Sequence, residues 1–516
     1  RLKAMIQDMG GDIPVSLSSE LLPEFREYER TLVTVMNAYV RPSMGRYLKG
    51  FEEKLRSIQF SPKVNIVRSD GGLMSVAKAS ESPVHTMLSG PAGGVSGAAY
   101  LATLAGYPNA LGFDMGGTST DVSLIQDGAP TQSRQTQLGY YPVKVPSVEV
   151  HSVGAGGGSI AHVPMTGALR VGPDSAGARP GPACYGHGGE LPTVTYANVV
   201  LGRLPPSLLG GDMSLNVQAA KDAVGKLGQD LGLDLHQTAE GILNIVNENM
   251  FGALRLVSVQ KGLDPRNFAL VAFGGAGPLH GNAMAILAGC FPVIVPPTPG
   301  VLSALGFLYS DIKNEFARTF ARTVDDIEVD QVVDILTTLG AEAQAWLKEE
   351  GLSERARDVR YQADVRYFRQ GYEFTMDVDP EHLRNNGLAS LVASFGVAHE
   401  RQYGFKLEQP VEIVNLRAIG TGEVDKVAFP KFEKSGPDAS AALLRQDQVY
   451  FNGSFVSAGV YDRNKLQAGN HIPGPAIVVQ KDSTCVIHPG HVGDVDDYLN
   501  ILIHPEGQAL VGQSNV

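Results

Sequence analysis

Apolar side chains recur at helical spacing in several stretches of the chain. Phe25, Tyr28, Leu32, Val35, Met36 and Tyr39 predict a helix over 24–39, and Tyr47, Leu48, Phe51 and Leu55 predict a second over 44–58. Ile242, Leu243, Ile245, Val246, Met250, Leu254 and Val257 predict a long buried helix from 238 to about 261, stopped by Gly262. An acidic helix is expected over 329–352. Short apolar or alternating runs read as strands at 13–17, 64–67, 122–125, 268–273 and 293–295, then at 361–367, 372–378, 411–418, 448–451, 476–479 and 498–503. Up to residue 312 these strands feed glycine turns; from 313 the turns thin out and the texture becomes that of a separate α+β module.

Composition narrows the class without naming a function. A chain of 516 residues is too long for one core, so two or three domains are expected. Hydrophobic content of 43% and charged content of 19% are those of a globular protein. A net charge of -12 leaves no basic surplus for phosphates, which excludes a general nucleic-acid binder. Cys184, Cys290 and Cys485 lie far apart in no metal-type spacing, so reduced thiols and a cytoplasmic location are expected. No apolar run is long enough to span a bilayer.

The densest chemistry lies in Ala110-Leu-Gly-Phe-Asp-Met-Gly-Gly-Thr-Ser-Thr-Asp-Val-Ser-Leu-Ile125, which reads as a hairpin with a polar tip. Gly116 and Gly117 lack Cβ atoms where a ligand approaches the backbone, and successive turn amides make an anion nest. Thr118 and Thr120 add hydroxyls. Asp114 and Asp121 flank the tip, where carboxylates can hold hydrated Mg²⁺ or orient a nucleophile. Amides for phosphate with acids for metal make a nucleotide site.

Other glycine loops extend this picture. Ser69-Asp-Gly-Gly72 is a strand-ending turn with a carboxylate. Leu88-Ser-Gly-Pro-Ala-Gly-Gly94 fits either a helix N-terminus facing the site or a close helix crossing. In Val148–His162, Gly156, Gly157, Gly158 and Ser159 permit backbone contact with a ligand, with His151 and His162 on either side. Residues 172–189 form a long loop carrying Asp174, Arg179, Cys184 and Tyr185, and nothing beside Cys184 supplies a base. Gly274-Gly-Ala-Gly277 again turns a strand into a helix, with His280 in its first turns.

The absence of Gly-x-x-x-x-Gly-Lys-[Ser/Thr] removes the P-loop class. The hairpin together with the later glycine turn resembles the actin, sugar-kinase and Hsp70 superfamily. Gly112-Phe-Asp-Met-Gly-Gly-Thr-Ser-Thr-Asp121, Ser152-Val-Gly-Ala-Gly-Gly-Gly158, Gly181-Pro-Ala-Cys-Tyr-Gly186 and Phe273-Gly-Gly-Ala-Gly-Pro-Leu-His280 sharpen this to the hydantoinase A/5-oxoprolinase family. Glu24–Arg30 with Asn37–Pro42, Tyr403-Gly-Phe405 and Gly474-Pro-Ala-Ile-Val478 resemble other parts of it, so the likeness spans nearly the whole chain.

The resemblance implies an α/β fold: an actin-like (ribonuclease H-like) ATPase lobe over 28–312 and a C-terminal α+β domain over 313–516. Family members carry an earlier domain with its own Asp-x-Gly-Gly-Thr hairpin, and residues 1–27 are expected to be the tail of such a domain. It implies ATP and Mg²⁺ as cofactors, and ATP-dependent hydrolysis of a cyclic amide by phosphorylation of the amide oxygen. Asp114, Asp121 and His151 are the expected catalytic residues, with Asp114 also on the metal. Gly116, Gly117, Thr118, Thr120, Gly274, Gly275 and Gly277 would hold the nucleotide. Gly156, Gly157, Gly158, Ser159 and His280 would face the substrate. A B-type subunit is the implied partner in a hetero-oligomer. The same motifs fit the A-type subunit of a ketone carboxylase, or an Hsp70- or actin-like nucleotide-switched binding protein. Tyr196 stands where the family commonly has an Asp, so no metal or acid–base role is carried to it.

Overall fold

The Asp114–Asp121 hairpin lies within a nine-stranded mixed sheet. The computed structural model describes residues 2–8, 13–165, 167–179, 181–182, 188–426, 428–508 and 510. Its chain sorts into two units, each assembled from three separate stretches: 1–92 with 132–147 and 310–426, and 93–131 with 148–309 and 427–516. The units cut across the 312/313 division of the sequence, because strands from both sides of it share sheets.

In the unit that carries the hairpin, the main strands are β1 (Ala110–Met115), β2 (Thr120–Gln126), β3 (Val150–Val153), β4 (Ala269–Phe273), β5 (Val293–Val295), β6 (His471–Pro473), then β7 (Ala476–Val479), β8 (Thr484–Ile487), β9 (His491–Val495) and β10 (Ile501–Pro505). The sheet runs β3-β2-β1-β4-β5-β10-β9-β6, with Ala129–Pro130 added on β2. β1, β4 and β5 are parallel, so β1 and β4 deliver their C-terminal ends to the same edge. Such an edge is where open α/β sheets hold ligands. β7 and β8 belong to a separate four-stranded sheet with Leu443–Phe451 and Ser454–Asp462.

Three helices matter to the site: α1 (Val194–Val200), α2 (Leu235–Val257) and α3 (Gly277–Ala288). α2 starts on a capping box in which Asp234 Oδ1 accepts from the Gln237 N–H at 2.9 Å and Gln237 Oε1 accepts from the Asp234 N–H at 3.3 Å. Its buried stripe of Ile242, Leu243, Val246, Met250 and Leu254 packs in one core with Phe113, Val122 and Leu270. Burying each such side chain stabilises by about 1.5–3 kcal/mol. Gly93 and Gly97, on the helix Ser89–Leu104, pack against the helix Leu302–Phe307, where a Cβ on Gly93 would stand 1.9 Å from the Phe307 ring. Close crossing accounts for these glycines.

The other unit is a six-stranded sheet, in order Asn65–Val67, Leu73–Ser75, Ile312–Thr323, Val411–Gly422, Arg357–Tyr367 and Phe374–Val378. Its core holds Val332, Leu336, Leu339, Val365, Phe395 and Leu416. On the sheet, Arg417 of the strand Val411–Gly422 is fully buried and meets Glu24, Asp364 and Glu315, and Arg134 clasps both Glu315 oxygens at 2.9 and 3.0 Å.

Two local expectations change. One helix of 31 residues, Glu27–Ser57, replaces the two predicted. It runs through Pro42, where the two predicted helices are separated; side chains in the turns just before it hold the neighbouring segment, Asn37 donating to Ser16 Oγ at 2.9 Å and Arg41 to Val15 O at 2.8 Å. Residues 13–17 form no strand, and Ile13 is exposed. Among the described residues no helix is long and apolar enough to cross a membrane.

Candidate active site

β1 and β2 pair so that Asp114 and Asp121 face each other in register. Burial, then the Asp121 charge, push the Asp114 carboxyl up to about 6. Asp121 is raised by burial and eased by Ser152, whose Oγ donates to Asp121 Oδ1 at 2.5 Å. Ser152 reaches it because β3 pairs with β2, Ser152 against Asp121. Two desolvated carboxylates side by side are the donor set that a divalent cation neutralises. Among the described residues no group of three or more His, Cys, Asp and Glu converges, so this pair is the metal-competent feature of the hairpin.

The tip of the hairpin walls a cavity of about 380 Å³. Gly116, Gly117 and Thr118 supply one part of the wall, Gly157 and Gly158 another, and Gly275, Ala276, Leu279 and His280 a third. The Gly116 N–H donates to Ser119 O at 3.0 Å, closing the tip. The Gly117 and Thr118 N–H groups make no backbone hydrogen bond among the described residues. Gly157 and Gly158 spend their N–H groups on Gly116 O and Gly117 O, at 3.0 and 2.6 Å, so this loop braces the tip as well as lining the cavity. A Cβ on Gly156 would lie 2.7 Å from the Gly117 carbonyl carbon. Gly156 and Ser159 themselves do not line the cavity; Ser159 Oγ accepts the Gly156 N–H at 2.8 Å and shapes the loop.

β4 is followed at once by Gly274, which takes φ +79°, and α3 starts at Gly277 and Pro278. A Cβ on Gly277 would press to 3.2 Å from Phe113 O, so the helix start sits directly against β1. The positive end of α3 is thereby aimed at the cavity, as suits an anionic ligand. Backbone-lined walls, open turn amides, a helix start and a desolvated carboxylate pair fit a nucleoside polyphosphate with its cation.

Three of the expected residues take other roles. Thr120 is fully buried, its Oγ1 donating to Ala155 O at 2.6 Å, because β2 turns that position into the core beside Met250. His151 is partly exposed, 3.5 Å from Glu149, and does not line the cavity. His280 does line it but is engaged: its Nδ1 lies 2.9 Å from Asn247 Oδ1 and its Nε2 3.3 Å from Asn198 Nδ2. An Nδ1–H donating to Asn247 and an Nε2 accepting from Asn198 satisfy both contacts with a neutral ring. Burial, then Arg203, hold its pKa down at about 3. Asp114 and Asp121 stand just behind the tip and are not among the wall residues.

Gly177, Ala178 and Pro182 bring the 172–189 loop to the cavity, with Asp174 and Arg179 exposed; Cys184 and Tyr185 lie outside the described residues. Tyr196 is buried in the core of α1. Sequence reading missed the turn Gln480–Ser483 with Thr484, which also lines the cavity. Its signal is the polar run Gln480-Lys-Asp-Ser-Thr484 between apolar strands, which resembles any surface hairpin.

Comparison with known proteins identifies the relatives of the chain. Residues 30–316 match the family described as hydantoinase/oxoprolinase, and residues 322–505 match its C-terminal domain. The alpha subunit of caprolactamase from Pseudomonas jessenii is 34% identical over 95% of this chain and 72% of its own. The gamma subunit of acetophenone carboxylase from Aromatoleum aromaticum is 33% identical over 95% of this chain and 68% of its own. The crystal structure of the ATP-dependent caprolactamase from Pseudomonas jessenii superposes with a TM-score of 0.88 at 32% identity, covering 98% of this chain and 74% of that one. The actin-like α/β class expected from the motifs is the class of these neighbours. The chain belongs to the hydantoinase/oxoprolinase family.

Proposed function

We propose that this chain is the ATP-using subunit of a cyclic amide hydrolase. The observation that carries the reading is the cavity itself: the Gly116–Thr118 tip, the Gly157–Gly158 loop and the start of α3 meet in one place beside Asp114 and Asp121. The Gly117 and Thr118 amides and the α3 N-terminus bind phosphates, and Gly275 and Ala276 border the nucleoside. Asp114 and Asp121 hold Mg²⁺, which supplies charge neutralisation for phosphoryl transfer when bound.

Unstrained lactams resist water because amide resonance weakens the carbonyl as an electrophile. In the proposed reaction the amide oxygen attacks the γ-phosphorus of ATP, the bond to the β-phosphate oxygen breaks, and ADP leaves. Water then adds to the activated carbon, the ring C–N bond breaks with its nitrogen taking up a proton, and an acyl phosphate remains; a second water attacks that carbonyl, and phosphate leaves from the ring-opened carboxylate. Here the chain's own residues position reactants and shield them; they form no covalent bond. A B-type subunit completes the hydrolysis in this reading, as the relatives' names as subunits suggest.

The likeness to the acetophenone carboxylase subunit supports a second reading, in which the same donor site phosphorylates the partners of a ketone carboxylation. The test is ADP release by the chain with its B-type partner, against 5-oxoproline, hydantoins, larger lactams, and ketone with bicarbonate. Lactam-gated turnover with a ring-opened product supports the first reading. Turnover only with ketone and bicarbonate supports the second, and a rate indifferent to every small molecule sinks both.

A further inference from the structure

One wall of the cavity comes from the turn Gln480–Ser483 between β7 and β8, far along the chain from the glycine loops at 116–117, 156–158 and 274–277. The turn is closed by the Gln480 N–H donating to Ser483 O at 3.1 Å. It is also fastened to the segment after β5. Asp482 Oδ2 accepts the Gly300 N–H at 2.9 Å, and Gln480 Nε2 donates to Pro297 O at 3.1 Å and to Asp482 Oδ1 at 2.6 Å. The fit leaves no slack: a Cβ on Gly300 would stand 2.8 Å from Asp482 O and 2.9 Å from its carboxylate. Asp482 O in turn lies 3.9 Å from the Cβ position of Gly275. Both Asp482 oxygens are therefore committed to holding the turn beside the Gly274–Gly277 corner.

Ser483 is the uncommitted group. It lines the cavity and is 7% exposed, and its hydroxyl is buried with no hydrogen-bond partner among the described residues. A buried hydroxyl left unpaired is a standing cost, which a ligand removes once rotation about χ1 brings Oγ to it. Leu204, Ala276 and Leu279 are apolar members of the same cavity lining, with Asn198 and His280 among its polar ones. Apolar faces with a few polar points suit a flat nucleoside, whereas the open amides of Gly117 and Thr118 suit phosphate.

We propose that the Gln480–Ser483 turn reads the nucleoside of the nucleotide bound in this cavity, with Ser483 Oγ hydrogen-bonding its polar edge and Asp482 as the positioning residue. This rests on the nucleotide reading of the cavity. It gives the C-terminal family region a part in choosing the nucleotide, independent of the phosphate-binding hairpin.

The test is calorimetric titration of the full chain and its S483A and D482A variants with ADP, adenosine and pyrophosphate, alongside thermal midpoints without ligand. S483A is expected to weaken ADP and adenosine by a common factor of about 3–10, to leave pyrophosphate binding unchanged, and to raise the ligand-free midpoint. D482A is expected to weaken ADP and adenosine and to spare pyrophosphate, with a lowered midpoint. Titrating 2′-deoxy-ADP and IDP then assigns the partner to ribose or base, since the S483A effect disappears for the analogue lacking it. Wild-type affinity for ADP and adenosine in S483A, or an equal loss of pyrophosphate, overturns the proposal. If the wild-type chain binds neither ADP nor pyrophosphate, the nucleotide reading itself falls.

Discussion

Gly274 and Asp114 are in direct contact across the ends of β4 and β1: a Cβ added to Gly274 would lie 2.3 Å from Asp114 Oδ1 and 2.5 Å from Met115 O. The positive φ of Gly274 and this close approach both require glycine. Gly274→Ala therefore pushes the carboxylate out of register with Asp121. We expect ATP turnover to fall at least about tenfold, with a stability loss of about 1–3 kcal/mol. Turnover per folded molecule, corrected by denaturant titration, separates the two effects.

The carboxylate pair gives a sharper test. Asp114→Asn removes one of two mutually repelling, desolvated charges, so the ligand-free protein is expected to be at least as stable as wild type. Its turnover should drop about 10²–10⁴-fold. Near-normal turnover in Asp114→Asn would remove Asp114 from the site.

Thr120 should behave oppositely to Thr118. Thr120→Val orphans the Ala155 carbonyl in the core and is expected to destabilise by about 1–3 kcal/mol. ADP affinity per folded molecule should be unchanged. Thr118→Ala, at the cavity wall, should leave the thermal midpoint alone and weaken ADP.

Arg417 is buried among Glu24, Asp364 and Glu315. Arg417→Met leaves those carboxylates without their shared cation, and an unpaired buried charge costs about 3–5 kcal/mol. Urea unfolding should show a lower midpoint with an unchanged slope. A stability within experimental error of wild type would mean that the remaining cations, Arg134 and Lys144, neutralise the cluster alone.

Asp494 accepts from His471 Nδ1 at 2.7 Å and from His504 Nε2 at 2.8 Å. The His504 hydrogen bond holds Asp494 below the usual carboxylate range, and the same bond raises His504. A lowered Asp contributes stability above its unfolded value and loses it as pH falls through the folded one. A raised His contributes below its unfolded value and loses it as pH rises through the folded one. The cluster thus stabilises most between about pH 4 and 6.5. His504→Gln should flatten the decline in urea midpoint above pH 6.5, while a decline equal to wild type would place its origin elsewhere.

Periodicity and glycine placement made much of this legible. The α2 stripe, the turn after β4 and the Asp114–Asp121 register all follow from residue spacing that one local geometry satisfies. The place of Thr120 is not legible because it depends on where the strand begins: Thr120 is the first residue of β2 and turns into the core, whereas Thr118 lies in the turn and stays exposed. His151 meets Glu149, two residues before it along the same extended segment, and the sequence does not show that this face of β3 points away from the cavity. The two predicted helices join through Pro42 because tertiary hydrogen bonds from Asn37 and Arg41 outweigh one missing backbone bond. The Gln480–Ser483 turn could not be found locally at all, since its meaning comes from the Gly300 segment beside it.

The position of β10 also sets the order of events during synthesis. β5 (Val293–Val295) pairs on one side with β4 and on the other with Ile501–Ile503, which leave the ribosome some two hundred residues later. Until then a wholly apolar edge strand presents unpaired amides and carbonyls to every other nascent chain. Expression of this protein should accordingly depend on elongation speed and on holdase chaperones that cover Val293–Val295 during that interval.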